Sequence, residues 1–170
     1  MSRITPCLWF NGDAEAAANF YVALFPDSAV GSLARCGEGM PFPAGTALMV
    51  EFSLSGQRYQ ALNGGPQYPH TEAFSLSVSC ADAEAVDRYW YALTANGGSE
   101  GQCGWLKDRF GVSWQIVPEG LGTLLADPDA GRRARASAAM MQMKKLDLPA
   151  MQAAADAVPA TATYTRGTQP

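Results

Sequence analysis

Gly101-Gln-Cys-Gly-Trp-Leu-Lys-Asp-Arg-Phe-Gly-Val-Ser-Trp-Gln-Ile-Val-Pro118 is the stretch around which the rest of the chain is organised. It reads as a β-hairpin: Gln102 to Lys107 and Val112 to Val117 are rich in aromatic and β-branched residues, with turn residues between them. Asp108-Arg109-Phe110-Gly111 puts Asp at the first and Gly at the fourth position of a type I turn. A left-handed Gly111 makes this a hairpin with a G1 bulge. That register opposes Lys107 to Ser113 and Trp105 to Gln115, and sets Cys103 near Val117, all on one face. Leu106, Val112, Trp114 and Ile116 fall on the other, apolar face, which suits packing under helices. A strand pair with one apolar and one mixed face predicts one wall of a ligand cavity.

Upstream of the hairpin, Phe74 to Val78 reads as a strand, and Asp82 to Thr94 as a helix ended by Asn96-Gly97-Gly98. The same order occurs earlier. Ile4 to Phe10 is an apolar run of strand length. Asn11-Gly12-Asp13 is a turn that supplies an N-cap, and Ala14 to Phe25 is a helix. Ala29 to Arg35, Thr46 to Leu54 and Gln57 to Leu62 are strands, and Gly37 to Gly45 is a loop and a candidate lid. Asn63-Gly64-Gly65-Pro66 closes the unit. The two helices match at an offset of 69 residues, the separation of Asp13 from Asp82. Asp13-Ala-Glu-Ala repeats as Asp82-Ala-Glu-Ala, Phe20-Tyr21 as Tyr89-Trp90, and Ala23-Leu24 as Ala92-Leu93. This predicts a duplicated unit of strand, helix and three strands, with modules at 1–66 and 70–118. Neither half-sheet can cover its own apolar face, so the two should pack together.

From Glu119 the composition changes, predicting a helical extension over 119–157 and a disordered tail over 158–170. Asp127-Pro128 reads as an N-cap and first helical position. The helix that follows should run from Ala130 to Lys145, with Met140 and Met143 on a packing stripe and Lys144-Lys145 near the C-terminal dipole. Arg132, Arg133 and Arg135 read as a solvated helix face.

The net charge of −4 and the lack of a Lys/Arg stripe argue against nucleic acid as a partner. The first residues hold no apolar signal region, and no apolar run reaches membrane-spanning length. Cys7, Cys36, Cys80 and Cys103 lie far apart with no Cys-x-x-Cys spacing, which predicts reduced thiols in a cytoplasmic protein that does not engage membranes.

Four stretches carry a family resemblance: Ile4-Thr-Pro-Cys-Leu-Trp-Phe10, the helix with Ala14-Glu15 and Asn19-Phe20-Tyr21, the turn Leu62-Asn-Gly-Gly-Pro66, and the hairpin from Gly101 to Val117. With the repeated order, they resemble the vicinal-oxygen-chelate superfamily (glyoxalase I, bleomycin-resistance protein, extradiol dioxygenase). Within it they are similar to the PhnB-like group, also described as a demethylubiquinone methyltransferase domain. The resemblance implies an α+β fold: two βαβββ modules forming a curved mixed sheet around a cavity, followed here by C-terminal helices. It also implies a homodimer with modules or strands paired across chains. The superfamily's enzymes hold a metal with His and Glu on the first and last strands of each module. Those positions fall on Pro6, near Ala61, on Ala73 or Ser75, and on Gln115, so neither metal nor cofactor is expected. The single histidine, His70, with Glu72 reads as surface polarity. A methyl donor is usually held by a glycine turn between strand and helix; here Gly97, Gly98, Gly101 and Gly104 follow a helix and enter a strand instead.

The expected function is binding of a small organic molecule in a metal-free cavity. Lys107 and Gln115 would fix polar atoms, and Trp105, Leu8 and Phe10 would give apolar contact. Asn63, Cys103 and Ser113 complete the expected ligand-facing set. The alternative is a metal-independent enzyme on the same cavity, with Lys107 or Cys103 as acid, base or nucleophile; no base–nucleophile pairing in the sequence supports it.

Overall fold

The computed structural model describes residues 4–157 of the chain. The disorder expected for 158–170 lies outside the described residues. The first module comprises β1 (Cys7–Phe10), α1 (Ala14–Leu24), β2 (Ala29–Arg35), β3 (Ala47–Leu54) and β4 (Gln57–Asn63). The second comprises β5 (Leu76–Cys80), α2 (Ala83–Thr94), β6 (Ser99–Glu100), β7 (Trp105–Lys107) and β8 (Ser113–Pro118). Three helices follow: α3 (Leu121–Leu125), α4 (Ala130–Met140) and α5 (Leu148–Asp156). The duplicated βαβββ order is therefore present in an α+β fold.

The strands form two four-stranded mixed sheets, ordered β1-β4-β3-β2 and β5-β8-β7-β6. In each, the first strand runs parallel to the last and the remaining pairs are antiparallel. The parallel pairing follows from the helix, which carries the chain across the sheet before the last three strands return as a meander.

Burial alternates along the strands with period two. Val50, Phe52 and Leu54 of β3 and Leu8 and Phe10 of β1 are buried on the α1 side. Leu106, Trp114 and Ile116 are buried on the α2 side. One apolar core joins the modules. Helix α1 lies at its centre: the Tyr21 ring is 6.4 Å from Phe52 of the first sheet and 5.2 Å from Trp114 of the second. Phe25 stacks between Tyr89 and Trp114, at 4.8 and 5.3 Å. A second core, of Leu124, Ala136, Leu146, Met151 and Ala155, holds the C-terminal helices together.

The extension departs from expectation in three respects. Helix α4 ends at Met140, so Lys144 and Lys145 are not in its last turn. Lys144 instead bonds Glu100, and Lys145 pairs with Asp87 of α2. The cap is Asp129, which accepts from Gly131 and Arg132 amides, while Asp127 takes the Arg132 side chain. Nor is the arginine cluster simply solvated: Arg132 also pairs with Asp156, and Arg135 donates twice to the Ala155 carbonyl, tying α4 to α5. The partners Glu100, Asp87, Asp156 and Ala155 are distant in sequence, beyond the reach of a local pattern, whereas the Asp129 cap is local.

Candidate functional site

The hairpin register agrees with the sequence reading. Trp105 opposes Gln115, Lys107 opposes Ser113, and Gly111 has φ +85°. The tip is built on Asp108, 3% exposed. Its Oδ1 accepts from the Phe110 and Val112 amides at 2.8 and 3.1 Å, closing the turn. Its Oδ2 accepts from Tyr21 Oη at 2.6 Å and Trp114 Nε1 at 2.8 Å. A buried carboxylate needs its lone pairs filled, and these four donors fill them. Burial, with the Asp108 carboxylate beside it, raises the Tyr21 phenol well above its usual pKa, so it stays a donor. Arg109 spreads over the Phe20 and Phe110 rings, 4.3 and 4.8 Å from their centroids. The turn chemistry of the second module thus anchors it to the helix of the first.

On the mixed face, Trp105, Lys107 and Gln115 are half-buried and Ser113 is buried. Gln115 Nε2 donates to Ser75 Oγ at 2.8 Å, bringing two of the carried-over metal positions together. Lys107 pairs with the exposed Glu72 at 2.6 Å, lowering the Glu72 carboxyl below its usual pKa. The Ser113 hydroxyl is buried without a hydrogen-bond partner.

Four expected residues lie elsewhere. Cys103 is not on the hairpin face. The chain turns at Gln102, whose carbonyl accepts from the Trp105 amide, and Cys103 has φ +56°. Its thiol meets the Met140 carbonyl and Met141 Sδ of the C-terminal extension. The Cys103 and Gly104 amides donate to the Met143 and Lys144 carbonyls, so this edge of the hairpin is sealed by the extension. Leu8 and Phe10 lie in the core; strand parity places Cys7 and Trp9 on the opposite face of β1. Asn63 is 2% exposed, with its side chain fully engaged. Its Oδ1 accepts from the Gly12 and Ala14 amides, and its Nδ2 donates to the Ala47 carbonyl. It caps α1 from β4. Asp13, the expected cap, makes no side-chain cap bond.

The first sheet has its own open face. Cys7 pairs with Gln60, which pairs with Glu51; Trp9 pairs with Leu62, which pairs with Met49. Glu51 is engaged by Ser32 at 2.8 Å and by Arg58 at 3.8 Å. Ala61 faces the core, fully buried. At the positions carried over from the resemblance, Pro6 and Ala61 bear no side-chain donor, while Ser75 and Gln115 offer a hydroxyl and an amide. They lack the imidazole and carboxylate donors of a divalent site and do not fit one. Among the described residues no three His, Cys, Asp or Glu cluster as metal ligands.

His70 differs from the surface residue expected. It lies edge-on to Phe10 at 5.2 Å, and its Nε2 is buried without a hydrogen-bond partner. No sequence signal distinguished it, because its Pro-flanked loop reads as exposed.

The family described as 3-demethylubiquinone-9 3-methyltransferase matches residues 2–117, and the chain belongs to that family. Among solved structures, the PhnB protein from Bacillus cereus is 33% identical, with a TM-score of 0.64, over 69% of this chain and 99% of that one. Protein PA1353 from Pseudomonas aeruginosa is 24% identical, with a TM-score of 0.58, over 70% of this chain and 98% of that one. A glyoxalase/bleomycin resistance protein from Albidiferax ferrireducens T118 is 19% identical, with a TM-score of 0.45, over 69% and 100% of the respective chains. A search of curated proteins gave no match. The family match ends before the C-terminal helices. No helix among the described residues is long and apolar enough to cross a membrane.

Proposed function

We propose that this protein is a cytoplasmic homodimer that binds a small organic molecule between open sheet faces, the first module of one copy opposite the second module of the other. The observation that carries the reading is the two-sidedness of each sheet. One face packs under a helix along β1, β3 and β4 in the first sheet and β5, β7 and β8 in the second, burying Leu8, Phe52, Ala61, Leu76, Leu106 and Ile116. The other, with Cys7, Trp9, Gln60, Ser77, Trp105 and Gln115, is half-buried or exposed in the single chain. Two mixed sheet faces left open on one chain are what a self-complementary interface enclosing a cavity requires. On the hairpin face, Lys107 and Gln115 are the polar contacts of the ligand and Trp105 the apolar one. The unpartnered Ser113 hydroxyl on that face is a further candidate contact. No metal or cofactor enters this reading.

Native mass spectrometry of untagged protein tests it. The expected result is a dimer carrying a small molecule that is lost in Gln115→Leu while the dimer persists. A monomer at micromolar concentration, or a bound molecule retained by Gln115→Leu, overturns the reading.

Methyl transfer, which the family description names, finds no support in this chain's glycines. Gly97 has φ +107° just after α2, and a Cβ on Gly98 would lie 2.4 Å from the Leu93 carbonyl. These glycines end a helix; they do not open one onto a donor. Calorimetry with S-adenosylmethionine is expected to show no binding. A micromolar dissociation constant, about −8 kcal/mol, would require a site that these residues do not provide.

A further inference from the structure

A cavity of about 470 Å³ lies where the C-terminal extension crosses the start of α2 and the end of β8, within the size range of small-molecule sites. None of Trp105, Lys107, Ser113 and Gln115 lines it, so it is separate from the hairpin face. Val86, Pro118 and Leu146 line it and are buried, and the half-buried Leu148 joins them. Leu146 belongs to the second core, so the packing that holds the extension together also holds this floor. The Glu119 amide donates to the Cys80 carbonyl at 2.8 Å, fixing the end of β8 beside the start of α2. The family match ends at residue 117, and the walls from Pro118 and Glu119 and from Lys145 to Gln152 lie beyond it.

Four carboxylates and one ammonium surround this apolar floor. The ammonium is already taken: Lys145 pairs with Asp87 and donates to Tyr91 Oη at 3.1 Å. Asp82, Glu119 and Asp147 have no cationic partner among the described residues. Each accepts one protein donor through one oxygen. Asp82 takes the Ala85 amide at 2.7 Å, Glu119 the Ser79 hydroxyl at 3.3 Å, and Asp147 the Ala150 amide at 2.9 Å. Asp82 and Asp147 cap α2 and α5, so two helix starts also border the cavity. A helix start carries only about half a positive charge, so three carboxylates outweigh the pair. The negative charge does not converge on a point: no three metal-ligating side chains cluster among the described residues. It is spread around an apolar hollow.

We propose that this cavity binds an organic cation, an ammonium group on a hydrocarbon body. The floor of Val86, Pro118 and Leu146 takes the body out of water. Asp82, Glu119 and Asp147, all exposed, hold the ammonium at the rim.

The probes are n-hexylammonium, 1-hexanol and hexanoate, which share an alkyl chain and differ in charge. In the full chain, hexylammonium is expected to shift the Val86 and Leu146 methyl ¹³C resonances saturably. Hexanol is expected to bind about fivefold more weakly at low salt, the upper end for ion pairs open to water, and hexanoate more weakly still. The preference should shrink as salt is raised. The combined variant Asp82→Asn, Glu119→Gln and Asp147→Asn should bind ammonium and alcohol alike. Asn caps a helix about as well as Asp, and Glu119→Gln keeps an acceptor for Ser79, so the variant loses charge and keeps its hydrogen bonds. Methyl resonances unmoved by millimolar hexylammonium overturn the proposal. So do equal affinities of the wild type for hexylammonium and hexanol, tighter binding of hexanoate, or a preference that survives in the variant. The wild-type comparison is decisive even if the variant does not fold.

Discussion

The entry to α1 is closed by Asn63, which reaches back 49 residues from the end of β4, whereas the entry to α2 is closed by its own Asp82. Both helices begin with the same Asp-Ala-Glu-Ala. Asp82 has extended backbone angles, φ −149° and ψ 175°, and its carboxylate takes the Ala85 amide at 2.7 Å. Asp13 has φ −95° and ψ 4°, which is not the extended geometry that aims an N-cap side chain at the first turn. The modules differ again at their far edges. Strands β2, β3 and β4 have seven, eight and seven residues. Strands β6 and β7 have two and three, and the C-terminal extension takes up the Cys103 and Gly104 amides that a longer strand would have paired. A repeated sequence therefore sets the order of elements, while each copy satisfies its backbone groups with whatever the tertiary fold brings near.

The difference can be broken most severely at the link between the modules. Asp108→Ala strips an acceptor from two amides, the Tyr21 hydroxyl and the Trp114 indole at once. It should cost about 4 kcal/mol or more in urea unfolding, since hydrogen bonds to a buried charge contribute roughly 1.5–3 kcal/mol each. A loss under about 1 kcal/mol would mean the hairpin tip does not hold the modules together. Next in size is Asn63→Ala, which strips the partner from three backbone groups, two of them buried, and should cost about 2–3 kcal/mol. Asp82→Ala, at an exposed cap, should cost about 1 kcal/mol. The comparison of the two caps rests on that ordering, and equal losses in denaturant midpoints would remove it.

The smallest effect is pH dependence at His70. Its folded pKa lies below the ordinary 6.5, so above that value the group contributes no slope. As pH falls below 6.5, the unfolded chain takes a proton that the folded chain resists, and stability declines. Denaturant midpoints at neutral and mildly acidic pH should therefore converge in His70→Phe relative to the wild type. An unchanged difference would show that burial does not hold the imidazole neutral.

Much of the fold was legible in the chain. The hairpin register followed from Asp108 and Gly111, because turn chemistry is local and a period of two then fixes every side chain's face. The duplication was visible in the two helices for the same reason. The candidate site was legible only in part. Trp105, Lys107, Ser113 and Gln115 come from that local register. Leu8 and Phe10 needed knowledge of which face of β1 carries α1, and an apolar run alone does not give it. Cys103 was assigned by extending backward a strand that begins at Trp105.

The sequence by itself determined the order of elements, the hairpin register, and the glycine turn from Asn63 to Pro66, since each depends on residues a few positions apart. Only the tertiary structure decided that Asn63 is a cap, that the C-terminal extension seals Cys103 and Gly104, and that His70 is half-buried beside Phe10. Those roles rest on partners from 16 to 60 residues away. A polar group's role is set by which partner fills its hydrogen bonds once water is excluded, and spacing along the chain does not record that.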